Sequence, residues 1–110
     1  MSMTIQDWRA EIDTIDSGLL RLLNRRAQLA IEIGALKRRD DSPLYDPARE
    51  SQVLVRALTT NSGPLDDEAV TKIFRCIIDE SRRVEEVTSE PAMPYLETVS
   101  TARGSGWVPD

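Results

Sequence analysis

The sequence predicts an all-α fold, with three helices per chain, a long first helix and an intertwined helical homodimer. Apolar residues recur at alternating spacings of three and four from Ile5 to Leu36, and no segment has the period of two typical of a β-strand. A helix over this stretch would be roughly 48 Å long, whereas a compact chain of 110 residues has a radius of gyration near ~13 Å. A lone chain would leave the apolar stripe in water, so the pattern predicts a second copy that covers it.

The first helix is predicted to begin after Thr4 and to run to about Arg39. The Thr4 hydroxyl can cap the free amides of the first turn, and Asp7 places negative charge there. The apolar stripe, which we call the seam, consists of Ile5, Trp8, Ile12, Ile15, Leu19, Leu22, Arg26, Leu29, Ile33 and Leu36. Arg26 is the one charged residue in the seam.

The second helix is predicted after a proline-containing turn at positions 40–45. Asp46 is a strong N-cap and Pro47 suits the first helical position. The helix should stop before Asn61, which opens a segment of turn-forming residues. These signals predict a helix of about four turns.

The third helix is predicted to open near Asp66 or Asp67. The residues of its apolar face are Val70, Ile73, Phe74, Ile77 and Ile78. From Ser89 onward the chain has three prolines, two glycines and no helical period. The sequence therefore predicts a helical domain over residues 1–88 and a C-terminal tail over 89–110, either mobile or draped on the surface.

Composition excludes several classes of function. With 14 basic and 19 acidic residues the net charge is -5, which argues against nucleic acid or an anionic membrane as the main partner. One cysteine and no histidine exclude an intramolecular disulfide and the common zinc sites, so no metal site is predicted. The first residues lack a signal peptide and no run approaches the ~18 apolar residues of a membrane span, so we expect a cytoplasmic protein.

Two cations of the first helix are predicted to share one face. Arg26 and Lys37 are eleven residues apart, which places them within about 20° of one another and about 16 Å apart along the axis. Their long side chains can hold a small anion between them. The simpler alternative is that Arg26 fixes the register of a coiled coil.

Other charged residues are predicted to complete the pocket. Arg9 lies about 100° and about 25 Å from Arg26, so it would reach a pocket of the partner in an antiparallel dimer more easily than one in its own chain. Arg49 and Glu50 would fold back over the Lys37 end. A basic pocket without histidine or a nucleophile suits a small dicarboxylate with a hydroxyl, and chemistry by positioning and electrostatics.

Three segments, in this order and spacing, carry a resemblance to a known family: RAEIDTIDSGLLRLLNRRAQLAIEIGALK, DPARE and IIDESRRVEE. The sequence resembles the all-helical chorismate mutases over roughly positions 4 to 88. The resemblance implies an intertwined dimer with two equivalent, shared sites. It implies an isomerase that converts chorismate to prephenate in phenylalanine and tyrosine biosynthesis without a cofactor.

The resemblance also implies roles for four residues in the reaction. Arg9 from the other chain would bind one substrate carboxylate, and Arg26 would bind the other. Lys37 would contact the ether oxygen, with Glu85 opposite it. Many members of the family carry glutamine at the Glu85 position, so the protonation state of this carboxyl decides whether it can donate a hydrogen bond there.

Four further residues are implied to bind the substrate. Asp46 and Glu50 would hold the ring hydroxyl, Arg49 would line the site, and Ser81 would help to hold a carboxylate. The tail resembles no dehydratase, dehydrogenase or synthase domain, which leaves it as a possible contact for another enzyme of the pathway.

Two other functions remain open at this stage. Isochorismate-pyruvate lyases resemble these mutases and also use a basic pocket, so assays with both substrates would separate the two. A non-enzymatic alternative is a helical dimerisation module, in which Arg26 sets the register and the tail is the contact segment. That alternative predicts that Arg26→Leu is tolerated.

Overall fold

The computed structural model describes residues 2–87, and over that range it contains three helices and no strand. They are α1 (Ile5–Arg39), α2 (Pro47–Thr60) and α3 (Asp67–Val87). The predicted all-α fold with a long first helix is confirmed. The predicted tail lies outside the described residues.

The α1 helix begins where its capping residues predict. The Thr4 hydroxyl accepts the Asp7 amide at 3.1 Å, and the Asp7 carboxylate accepts the Thr4 amide at 2.9 Å. These two bonds form a reciprocal capping box. Hydrogen bonding from the Thr4 amide, and from the Thr4 side chain, lowers the pKa of Asp7 because it favours the ionised carboxylate. At the other end, the Asp40 amide donates to the Leu36 carbonyl at 2.9 Å.

The other two helices also begin at capping aspartates. Asp46 accepts the Arg49 amide at 3.1 Å, and Pro47 follows it at the first helical position. Asp66 accepts the Ala69 amide at 2.9 Å. Both boundaries agree with the sequence, because a cap depends only on residues within one turn.

The α3 helix packs against both other helices, whereas α1 and α2 do not pack directly on each other. The buried apolar side chains of the described residues are Ala30 on α1 with Val70 and Ile78 on α3. Ile73, predicted on the apolar face of α3, is instead 47% exposed. At 100° per residue, Ile73 lies at the edge of that face.

The helices form a flat layer. Its extents are 58 × 36 × 15 Å, and a helix with its side chains is about 10–12 Å across, so the layer is scarcely thicker than one helix. The radius of gyration is 17.4 Å, well above the ~13 Å of a compact chain of this length. An α1 helix of 35 residues accounts for the longest dimension.

Every apolar residue of the seam is exposed within the described chain, whereas Arg26 is half-buried. Ile5, Ile15 and Leu22 are 66%, 62% and 70% exposed. Such a contiguous apolar stripe is typical of a surface that another chain covers. The described helices include none apolar enough over a sufficient length to cross a membrane.

Candidate active site

A cavity of about 270 Å³ lies where α1, the turn after it, α2 and α3 meet. Seven of the eight residues predicted for the site line it, all except Arg9. Its apolar lining residues are Leu29, Ala30, Ile33, Leu44, Val53 and Ile78. The fold therefore gathers residues from three helices that are far apart in sequence.

Arg26 and Lys37 both line the α1 side of the cavity, as their eleven-residue spacing predicts. The Arg26 guanidinium donates a hydrogen bond to the Ser81 hydroxyl on α3. Burial and the neighbouring Arg49 lower the pKa of Arg26, since both disfavour its charged form. Lys37 Nζ donates to the Leu44 carbonyl at 2.8 Å, which anchors the turn at the cavity.

The first turn of α2 supplies Asp46, Arg49 and Glu50 to the opposite side. Asp46 uses one carboxylate oxygen as the helix cap. The Arg49 guanidinium donates to the Gln52 side chain at 2.9 Å. Glu50 is only 15% exposed and accepts hydrogen bonds from Arg75 and Arg82, both on α3.

Sequence reasoning missed Arg82, which also lines the cavity. Its guanidinium contacts Glu50 and lies 4.9 Å from the centre of the Tyr45 ring. Arg82 precedes Glu85 by three residues, and that helical spacing was a usable signal that both face one way. The contact with Glu50 spans 32 positions and depends on how α2 packs on α3.

Glu85 reaches the cavity beside Gly34 of α1. A Cβ at Gly34 would lie 3.2 Å from Glu85 Cγ, so glycine is what allows this close approach. Burial raises the pKa of Glu85, while Lys37 and Arg38 act in the opposite direction. The nearby carboxylates of Glu86 and Glu50 add to the increase.

Arg9 lies outside this cavity, on the exposed first part of α1. It precedes Arg26 by 17 residues on the same helix, a distance of about 25 Å along the axis. It can therefore join a site of this kind only through a second chain.

The cavity's ionisable lining side chains are four basic and three acidic ones. The planar guanidinium groups of its arginines can bind carboxylates in a bidentate manner, and its carboxylates can accept a hydrogen bond from a hydroxyl. The chain has no histidine, and the described residues contain no acidic or cysteine cluster that would hold a metal ion. The arrangement can bind a small hydroxylated dianion and stabilise charge that develops on it.

Comparison with known proteins gives a consistent family match. The model of the family described as chorismate mutase type II matches residues 8–86. A bifunctional chorismate mutase/prephenate dehydratase of Neisseria gonorrhoeae is 47% identical over 89 residues, covering 77% of this chain and 24% of that protein. Its counterpart in Aquifex aeolicus is 40% identical over 78 residues, which cover 67% of this chain and 22% of that one.

The solved structures include chorismate mutase from Thermus thermophilus. Its form II has a TM-score of 0.73 and 40% sequence identity, covering 74% of this chain and 93% of that one. The two bifunctional proteins are much longer, and this chain spans about a quarter of their length. The similarity therefore concerns their mutase-like part.

Proposed function

The chain belongs to the chorismate mutase type II family, and we propose that it converts chorismate to prephenate in phenylalanine and tyrosine biosynthesis. The observation that supports this most is the cavity that gathers Arg26, Lys37, Ser81 and Glu85 from α1 and α3. The direct test is the loss of chorismate absorbance on addition of purified protein. Turnover of isochorismate to pyruvate instead would point to the lyase on the same fold.

The proposed reaction is an intramolecular rearrangement, so the protein has only to hold the reactive conformer and stabilise its transition state. Arg26 and the partner's Arg9 bind the two carboxylates and hold the folded substrate. Lys37 stabilises the negative charge that grows on the departing ether oxygen. One of its three ammonium donors is used by Leu44, which leaves two for the substrate.

The ring hydroxyl is assigned to the acidic side of the cavity. Asp46 and Glu50 hold this hydroxyl between them, with its single proton donated to Glu50, and Arg49 lines the same wall. Ser81 is held by Arg26 and adds a hydroxyl beside the carboxylate that Arg26 binds. The ether C–O bond breaks and a new C–C bond forms within the substrate, so no covalent intermediate with the protein is required, in keeping with a pocket built from cations and acceptors.

We infer a homodimer with two shared sites. The exposed seam supplies a self-complementary apolar surface, and Arg9 on the same helix is the proposed ligand for the partner's cavity. A flat layer only 15 Å thick also leaves one face without a covering layer.

Ile15→Lys should convert the protein largely to monomer and abolish turnover. The substitution places a charge in the seam, where the side chain is 62% exposed in the single chain and would be buried in the dimer. The matched control is Ser17→Lys, which adds the same charge about 200° away around α1. Light scattering coupled to gel filtration measures the mass of each variant. If Ile15→Lys is as dimeric as Ser17→Lys, the seam is not the interface.

Glu85→Gln should preserve turnover at neutral and higher pH, where the parent declines. A protonated Glu85 donates a hydrogen bond to the ether oxygen, whereas the ionised form repels the charge that grows there. Because burial raises the pKa of Glu85, the protonated form persists above the ordinary range of glutamate. Activity is therefore highest on the acidic side and falls as pH passes the folded-state pKa.

The measurement is a pair of kcat/KM profiles from about pH 4.5 to about pH 9, in which one ionisation is expected for the parent and is missing from the variant. Glu80→Gln is the matched control, because Glu80 is exposed on the same helix, does not line the cavity and is not among the groups that shift the pKa of Glu85. Superimposable profiles for the parent and Glu85→Gln would remove Glu85 from the mechanism.

We also propose a cytoplasmic location and a partner from the same pathway. The single cysteine suits a reducing compartment, and some relatives are named for a mutase and a dehydratase together. The tail over 89–110 is the proposed contact. Co-purification of the full chain with a prephenate-consuming enzyme tests this proposed interaction. Loss of the interaction in a chain ending at Ser89 would show that the tail makes the contact.

A further inference from the structure

We propose that Arg82 is a positioning residue of this site, which fixes the Glu50 carboxylate as the acceptor for the substrate's ring hydroxyl. This role rests on the proposed function and adds Arg82 to the eight site residues predicted from the sequence. It follows from the geometry around Glu50.

Arg82 makes a bidentate contact with the Glu50 carboxylate. Arg82 Nε lies 3.2 Å from Glu50 Oε2, and Arg82 Nη2 lies 3.3 Å from Glu50 Oε1. A fork of this kind fixes the plane of a carboxylate as well as its position. Since Glu50 is only 15% exposed, its carboxylate oxygens have little access to water and depend on such partners for their hydrogen bonds.

A second arginine leaves one acceptor position open. Arg75 Nη2 lies 2.8 Å from Glu50 Oε1, so Oε1 accepts from two arginines and its two lone pairs are occupied. Among the described residues, Oε2 accepts one hydrogen bond, from Arg82 Nε. The remaining lone pair of Oε2 is the acceptor that we assign to the hydroxyl.

Arg82 and Arg75 differ in their position relative to the cavity. Arg82 lines the cavity together with Glu50, whereas Arg75 does not. The Arg82 guanidinium carbon also lies 4.9 Å from the centre of the Tyr45 ring, a cation–π contact that helps to orient the guanidinium. Arg82 therefore sets the side of Glu50 that faces the ligand, and Arg75 ties the same carboxylate to α3 from outside the site.

A comparison of arginine variants tests the role. With chorismate, we expect Arg82→Met to raise KM about tenfold and to leave kcat within about threefold, because the hydroxyl contact is present in both ground and transition states. Arg75→Met is the matched control and should change KM less than about threefold. Arg82→Lys keeps the charge but lacks the fork, so it should recover only part of the loss.

A double-mutant cycle separates positioning from direct binding. In a Glu50→Gln background, Arg82→Met should change KM less than about twofold, because the residue acts through the Glu50 carboxylate. An effect as large as that in the parent would mean that Arg82 contacts the ligand itself, and would overturn the proposal. If Arg82→Met and Arg75→Met change KM equally, the contact between Arg82 and Glu50 is only a structural ion pair. That result would also overturn the proposal.

Folding is controlled by circular dichroism and by the mass of each variant. If Arg82→Met does not fold, Arg82→Lys decides, and parental kinetics for that variant would contradict the need for a fork. A parent without chorismate turnover would refute the proposed function itself. An active parent with additive effects in the cycle would refute the role of Arg82 alone.

Discussion

Arg26→Leu should produce a folded dimer whose chorismate turnover is at least about a hundredfold below that of the parent. The substitution removes the guanidinium that is proposed to bind a substrate carboxylate and that donates to the Ser81 hydroxyl. Leucine continues the seam, and replacing a partly buried charge by an apolar residue is often neutral or stabilising. We therefore expect an unchanged or higher melting temperature together with lost activity.

The neighbouring arginine provides the control for this prediction. Arg25 is exposed, lies outside the cavity and donates to the Gln28 side chain at 3.5 Å. Arg25→Leu should keep most of the turnover. If Arg26→Leu is as active as Arg25→Leu, Arg26 does not bind the substrate and instead sets the register of the helices.

Mixing two inactive variants, Arg9→Ala and Lys37→Ala, should restore activity. Each change alone removes a group from both sites of a dimer, with an expected loss of at least about a hundredfold. In a mixed dimer, one site combines an intact Lys37 with an intact Arg9 from the other chain. Random assortment of equal amounts gives about a quarter of the parental sites, as the symmetry of a two-chain site requires.

A second mixture tests whether restoration is specific. Arg26 and Lys37 line the same cavity of one chain, so Arg26→Ala mixed with Lys37→Ala leaves a damaged site in each half of every dimer. That mixture should stay inactive. Mixed dimers of Arg9→Ala with Lys37→Ala that are shown to form and remain inactive would contradict a site made by two chains.

Features governed by neighbouring residues could be predicted from the sequence. The caps at Thr4 and Asp46 depend on contacts within one turn, and local rules describe such contacts well. Arg26 and Lys37 are on one regular helix, so the helical repeat alone places them on one face. Both line the same cavity in the structure.

Features that depend on how the helices pack could not be predicted from the sequence by these local rules. The exposure of Ile73 depends on which edge of the α3 face meets its neighbours. The contact between Arg82 and Glu50 needs α2 and α3 in one particular register. The role proposed for Arg9 depends on a second chain, and the helical period of one chain does not describe the arrangement of two.

The thin layer of helices has a consequence for how the protein acquires its stability. Three buried apolar side chains in the described chain offer little to offset the conformational entropy lost on folding. In the proposed dimer, association supplies most of the core, so folding and assembly become one bimolecular equilibrium governed by mass action. Dilution then unfolds the chain, and subunits exchange through largely unfolded species.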